Sequence, residues 1–277
     1  MSGASRLGIF AKTFPGSTAA EVLEAARAAG YGCVQFNLSC CGLPSMPDAL
    51  EDAVVAEIAE ASATSGVSLA ALSGTYNMIH PDPLVRARGQ ARLGVLLAQA
   101  RAMGTGLVTL CTGTRDAADQ WRAHPDNRSP EAWADLLAEM AEAARMAEDH
   151  GVDLGIEPEP ANVVSDAEDA ARLIADLASP RLRFILDPAN LVESAAEDQA
   201  RIFGRAVDQL GERISLAHAK DRDASGRVVP AGQGIIDFPL FFAHLSRAGF
   251  AGPIITHGLA ASDAPAVARF LTQALAA

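Results

Sequence analysis

Short apolar runs alternate along this chain with longer segments whose apolar residues recur three or four positions apart. The runs read as buried strands and the longer segments as helices that pack on them by one face. Strands are predicted at Leu7–Phe10, Cys33–Phe36, residues 67–72, 107–111, the stretch opening at Val152, and residues 184–186, 214–217 and 253–256. Helix signals fill the gaps. Thr18 with Glu21 and Ser165 with Glu168 form capping boxes, and Ser129-Pro130 marks another start. Pro47-Asp48 opens a helix whose Leu50, Val54 and Ile58 make an apolar stripe. Further helices are expected over 83–103, 195–210 and 263–275 and after Asp237.

Glycines at 30, 66, 104, 151, 211 and 249 each stop a helix just before a strand. Eight such strand–helix units mean an α/β protein with a parallel sheet, and eight in 277 residues, close to the ~250 typical of one barrel, close it into a (β/α)8 TIM barrel. A doubly wound open sheet fits less well, because no G-x-G-x-x-G follows the first strand. No linker divides the chain, so residues 1–277 are expected to form one domain. Hydrophobic residues at 49% and charged residues at 20% suit a large core.

The strand ends carry the chemistry. The stretch V-D-L-G-I-E-P-E-P delivers Glu157 at the end of an apolar strand, and two prolines then take the chain out of the ladder. The next three strands end in Asp187-Pro188, His218 and His257. A parallel barrel assembles its site at these C-terminal ends. Singly, such a residue is a helix cap, a salt-bridge partner or a satisfied core histidine. Four in succession form a ligand set for Mg²⁺, Mn²⁺, Co²⁺ or Zn²⁺.

The irregular segment 112–127 holds Trp121, Arg122 and His124, which favours a lid over a linker. Lys220-Asp221 reads either as a salt-bridged turn or as a place to hold a substrate oxyanion. Gly232 and Gly234 allow a turn or a phosphate cradle. His80 reads as a loop cap or a residue at the barrel mouth, and His150 and His244 as surface or interface residues on helices.

A net charge of -12 argues against nucleic acid as a partner. The four cysteines have no zinc-knuckle or disulfide spacing, and Cys33 and Cys111 are expected as small buried hydrophobes. With no secretory leader and no membrane-length apolar run, the expected location is the cytoplasm, with no membrane partner.

The runs E-P-E-P at 157, L-D-P-A-N at 186, H-A-K-D at 218 and G-Q-G-I-I-D at 232 resemble the xylose isomerase-like TIM barrels. The resemblance implies that Glu157, Asp187 and His218 bind a divalent metal cation. Where the family's epimerases end the eighth strand in a second glutamate, this chain has His257, still able to bind metal or act as a base. Asn190 stands where many relatives have histidine. The implied activity is a metal-dependent sugar isomerase or epimerase, acting by proton abstraction next to the carbonyl of a keto-sugar, sugar phosphate or inosose. Glu157 is the expected base and His257 its partner, with Lys220, Asn190, Trp121 and His124 expected to bind the carbohydrate. The alternatives are an inosose dehydratase-like lyase and a non-catalytic sugar-binding barrel. The related apurinic-site endonucleases need more histidines than this acidic chain offers. A homo-oligomer is compatible with the sequence.

Overall fold

The computed structural model describes residues 6–277. Eight parallel strands close into a barrel: β1 (Leu7–Phe10), β2 (Cys33–Phe36), β3 (Ser68–Ser73), β4 (Leu107–Leu110), β5 (Asp153–Ile156), β6 (Leu182–Leu186), β7 (Ile214–Ala219) and β8 (Ile254–Thr256). Each strand pairs with its sequence neighbours, and β1 pairs with β8 to close the ring. Among the described residues eight longer helices surround it: α1 (Ala19–Ala28), α2 (Asp52–Ser65), α3 (Pro83–Ala100), α4 (Pro130–His150), α5 (Ala167–Leu177), α6 (Gln199–Leu210), α7 (Phe238–Arg247) and α8 (Ala264–Ala274). No helix among the described residues is long and apolar enough to cross a membrane.

The capping box at the start of α1 forms as expected, with Thr18 Oγ1 accepting from Glu21 N and the Glu21 carboxylate from Thr18 N. Three helix starts differ. Asp166, not Ser165, caps α5; its Oδ1 accepts from both Glu168 N and Asp169 N, while Ser165 is turned to Asp169. Helix α2 begins at Asp52, because Asp48 is drawn off to pair with Arg92 on α3. Its buried stripe is therefore Val55, Ile58 and Ala61. Helix α6 begins at Gln199, behind its Asp198 cap. An unanticipated antiparallel hairpin, Asp221–Arg222 with Val228–Val229, follows β7.

Most apolar burial lies between barrel and helices, where Phe36, Phe184, Phe203, Phe238 and Phe241 are fully buried. Each such side chain contributes about 1.5–3 kcal/mol of transfer free energy. Inside the barrel, Cys33, Ala71, Leu107, Ile185, Leu216 and Ile255 form a separate layer. Gly8 and Gly155 complete it from β1 and β5. A Cβ on Gly8 would lie 2.4 Å from Ile255 and 2.6 Å from the Cys33 sulfur, so only glycine fits there.

Side chains along a strand return to the same face every second residue. Two positions beyond the inner layer come Phe10, Gln35, Ser73, Thr109, Glu157, Asp187, His218 and His257. Those eight residues, one per strand, are the ring at the barrel's C-terminal mouth.

Candidate metal centre

Four members of this ring converge. Glu157, Asp187, His218 and His257 each offer a ligand atom, and these atoms all lie within 4.8 Å of one another. His218 Nδ1 is 3.1 Å from Glu157 Oε1 and 3.5 Å from Asp187 Oδ2, and His257 Nε2 is 3.5 Å from that same Oδ2. Ligands about 2.1 Å from a shared ion at tetrahedral angles sit about 3.4 Å apart, so the spacing suits one cation.

The hydrogen bonding supports that fit. Asp187 Oδ1 accepts from Ala189 N at 2.9 Å, at the start of the helical turn Pro188–Leu191. Its Oδ2 is buried with ionic contacts only, to Lys220 Nζ at 3.0 Å and to the two imidazoles at 3.5 Å, and His257 Nε2 is buried without a hydrogen-bond partner. Buried polar atoms are normally hydrogen-bonded, and two that face each other at 3.5 Å without a hydrogen bond leave a position that a third group would fit. The mixed carboxylate and imidazole set suits a borderline divalent ion.

Around these atoms burial and neighbouring charges oppose one another. Burial alone would raise the Glu157 pKa, but His218 and Lys220 outweigh it and hold the carboxylate below its ordinary value. Asp187 is held well below the carboxylate range against the same burial penalty, chiefly by Lys220 and His218. Burial opposes charge on His218, yet Glu157 and Asp187 push it up to about 9. His257 is lowered, first by burial. It stacks on Phe10 with ring centroids 4.5 Å apart.

Sequence reasoning missed Gln35 and Glu159. Gln35 Oε1 lies 3.1 Å from His218 Nε2, while its amide nitrogen donates to Ser73 Oγ (3.2 Å) and Thr109 Oγ1 (3.0 Å). With the amide thus oriented, Oε1 can only accept, so His218 carries a proton on Nε2 and turns Nδ1 toward the carboxylates. The signal was present as a glutamine in an otherwise apolar four-residue strand. Glu159 lines the same cavity as Glu157, and burial followed by the Glu157 charge raises its pKa to about 7.

The other expected site residues divide. Lys220 Nζ lies 3.0 Å from Asp187 Oδ2 and donates to Asn190 Oδ1 at 2.6 Å. Asn190 Nδ2 donates to Glu157 Oε1 at 3.0 Å. Both therefore brace the carboxylates from behind, and neither lines the cavity over the ligands. Trp121 does line it and is half exposed. His124 is not brought there: its Nδ1 accepts from Asp126 N and caps the short turn Pro125–Arg128. His80 is a loop cap, with Nε2 near Ala117 O and Nδ1 accepting from Asp82 N. The G-x-G at 232 is not an anion cradle, because Asp221 Oδ2 already accepts from the N–H groups of Gly232 and Gly234, each at 2.9 Å. Cys111 lies just past β4, buried as expected, and Cys33 lies within β2.

A family model described as xylose isomerase-like TIM barrel matches residues 23–273, so the chain belongs to that family. No curated protein matches the sequence. Among solved structures, the chain is similar to an L-ribulose 3-epimerase (21% identity, 98% of this chain and 94% of that one, TM-score 0.77). It is also similar to 3-keto-D-glucoside 4-epimerase from E. coli (16%, 98% and 97%, TM-score 0.74). A third is the IOLI protein, with a zinc atom bound (18%, 98% and 98%, TM-score 0.73). At these identities the likeness establishes the fold.

Proposed function

We propose that this protein is a divalent-cation-dependent sugar isomerase or epimerase that moves a proton at the carbon next to a carbonyl. The observation that carries the reading is the facing pair Asp187 Oδ2 and His257 Nε2, neither with a hydrogen bond, clustered with Glu157 and His218 beneath an 820 Å³ cavity that Glu157 and His257 line. The sugar epimerases among its structural relatives use the same fold and agree with it.

Glu157, Asp187, His218 and His257 would hold the cation. When bound, a divalent cation there polarises carbonyl and hydroxyl oxygens and stabilises an enediolate by several kcal/mol. The chain's own groups do the rest. Glu157 Oε1 is occupied by His218 and Asn190, and its Oε2 has no hydrogen bond among the described residues. Oε2 is therefore the oxygen placed to take the proton from carbon. Glu159, two residues on and lining the same cavity, is the second carboxyl able to return one. With His257 engaged as a ligand, its lone pair is not free to act as a base, and its part is to complete the set. Phe10, stacked on His257, keeps water from that face.

The test is incorporation of solvent deuterium into a panel of ketoses, keto-glycosides and inososes, with and without Mn²⁺ after chelation. Exchange that depends on metal and falls by about 100-fold in Glu159→Gln, with metal content unchanged, is the expected result. Metal-independent exchange would refute the reading.

A further inference from the structure

The cavity over the ligand residues does not end at the barrel axis. A second cavity of 670 Å³ adjoins it, and Ser45, Thr75 and Gln120 face both. This annex lies between the loop after β2, the N-terminal half of α3 and the segment 112–127. Small-molecule sites usually occupy about 300–1,000 Å³, a range that the first chamber fills by itself. A lone monosaccharide over the ligand residues leaves the annex without an occupant.

The annex is built rather than incidental. Tyr76 forms one wall, and its ring lies so close to α3 that a Cβ on Gly89 would come within 2.1 Å of it. The Tyr76 hydroxyl is tied to Gln90. On the opposite side, Asn77 Oδ1 accepts from Thr114 N at 2.9 Å, and Asn77 Nδ2 donates to Asp116 O at 3.3 Å. A Cβ on Gly113 would lie 2.2 Å from that same Oδ1. These contacts pin the base of the 112–127 segment, so the annex is open before any ligand arrives.

Its chemistry is that of a neutral ring. Pro44, Met46, Tyr76 and Val85 give it apolar surface, with Thr75, Asn77 and Gln120 as polar points. Most of the charge around it is already cancelled. Arg92 pairs with Asp48 at 2.7 Å, and Asp116 is satisfied by Arg122 and by the N–H groups of Ala118 and Asp119. Both nitrogens of His80 are used. Of the two arginines that line the annex, only Arg88 is without a salt bridge among the described residues, which is thin provision for a phosphate. Of the four exposed large hydrophobic residues, Val85 lines the annex, Leu84 precedes it on α3, and Trp121 stands over the first chamber. Exposed apolar surface collected at a cleft marks a binding surface.

We infer that the substrate is a glycoside: a keto-sugar whose reacting carbon lies over the ligand residues, joined by a glycosidic bond to a second, uncharged ring held in the annex. This rests on the isomerase or epimerase reading above and extends it to the substrate's size and charge.

The experiment compares deuterium exchange into D-fructose, D-fructose 6-phosphate, isomaltulose (a glucosyl-fructose) and a phenyl 3-keto-hexoside. It uses the metal-loaded wild type and the annex-filling variant Val85→Trp. The expected result is at least tenfold higher kcat/KM for the two-ring compounds, lost through KM in Val85→Trp while exchange into D-fructose is kept. A preference for the phosphate would overturn the inference and assign Arg88 to an anion. Equal rates for one and two rings, unchanged in the variant, would overturn it and leave the isomerase reading standing. Exchange into none of the four, with no change in tryptophan fluorescence of a Trp133→Phe variant on their addition, would remove both readings together.

Discussion

The ring at the barrel mouth has two unlike halves. Strands β1 to β4 contribute Phe10, Gln35, Ser73 and Thr109, all uncharged, and β5 to β8 contribute Glu157, Asp187, His218 and His257, all ionisable. The charged half is nearly dry: Asp187 and His218 are 2% and 0% exposed. Burying carboxylates this deeply is costly unless charge is matched and hydrogen bonds are complete. Lys220 and a protonated His218 supply the matching positive charges, while Asp187 Oδ2 has only ionic contacts, 3.0 Å from Lys220 Nζ and 3.5 Å from each imidazole. The neutral half is satisfied. Gln35 joins Ser73, Thr109 and His218 in one connected set, and so fixes the imidazole of the opposite half. One half carries the ionisable ligand groups, and the other fixes how one of them points.

The largest expected effect comes from the charged half. Asp187→Asn removes the ligand oxygen that faces both imidazoles, and metal affinity should fall more than about 100-fold. Equilibrium dialysis with Mn²⁺ measures it, and retained affinity would mean the cation, if any, lies elsewhere.

A smaller effect distinguishes the halves. Gln35→Leu removes the acceptor that fixes His218 Nε2–H, and should weaken metal binding about 10–100-fold although Gln35 touches no metal. Gln35→Glu retains an acceptor and should recover much of the affinity. Equal losses in both variants would show that packing, not the hydrogen bond, is what matters.

The barrel and the charged half were legible for one reason: apolar strands ending in a chemically distinct residue stand out in a linear sequence. Glu157, Asp187, His218 and His257 all carry that signature. The neutral half lacks it, since Ser73 and Thr109 are ordinary polar residues until the every-second-residue alternation of eight strands is laid side by side. Gln35 shows the difference well; its role depends on β3 and β4 bringing hydroxyls to its amide. Residues in loops were the least readable. Trp121 and His124 lie three apart in one segment, yet one lines the cavity and the other caps a turn. The glycines at 232 and 234 are compatible in sequence with either a turn or an anion site, and only the fold shows Asp221 occupying their N–H groups. Helix starts slipped where a competing side-chain partner existed, as with Asp48 and Arg92.

The central claim is that four strand-end residues form one cation site with His257 as its fourth corner. Isothermal titration of the chelated protein with Mn²⁺ at pH 7, in buffers of different ionisation enthalpy, tests it most directly. His218 is pushed up to about 9 without a cation, so it is protonated at pH 7 and must lose its Nδ1 proton to bind one. The predicted result is one site per chain, release of about one proton that fades as the pH rises through about 9, and affinity at least about tenfold weaker in His257→Ala. Binding with no proton release and unchanged affinity in His257→Ala would contradict it.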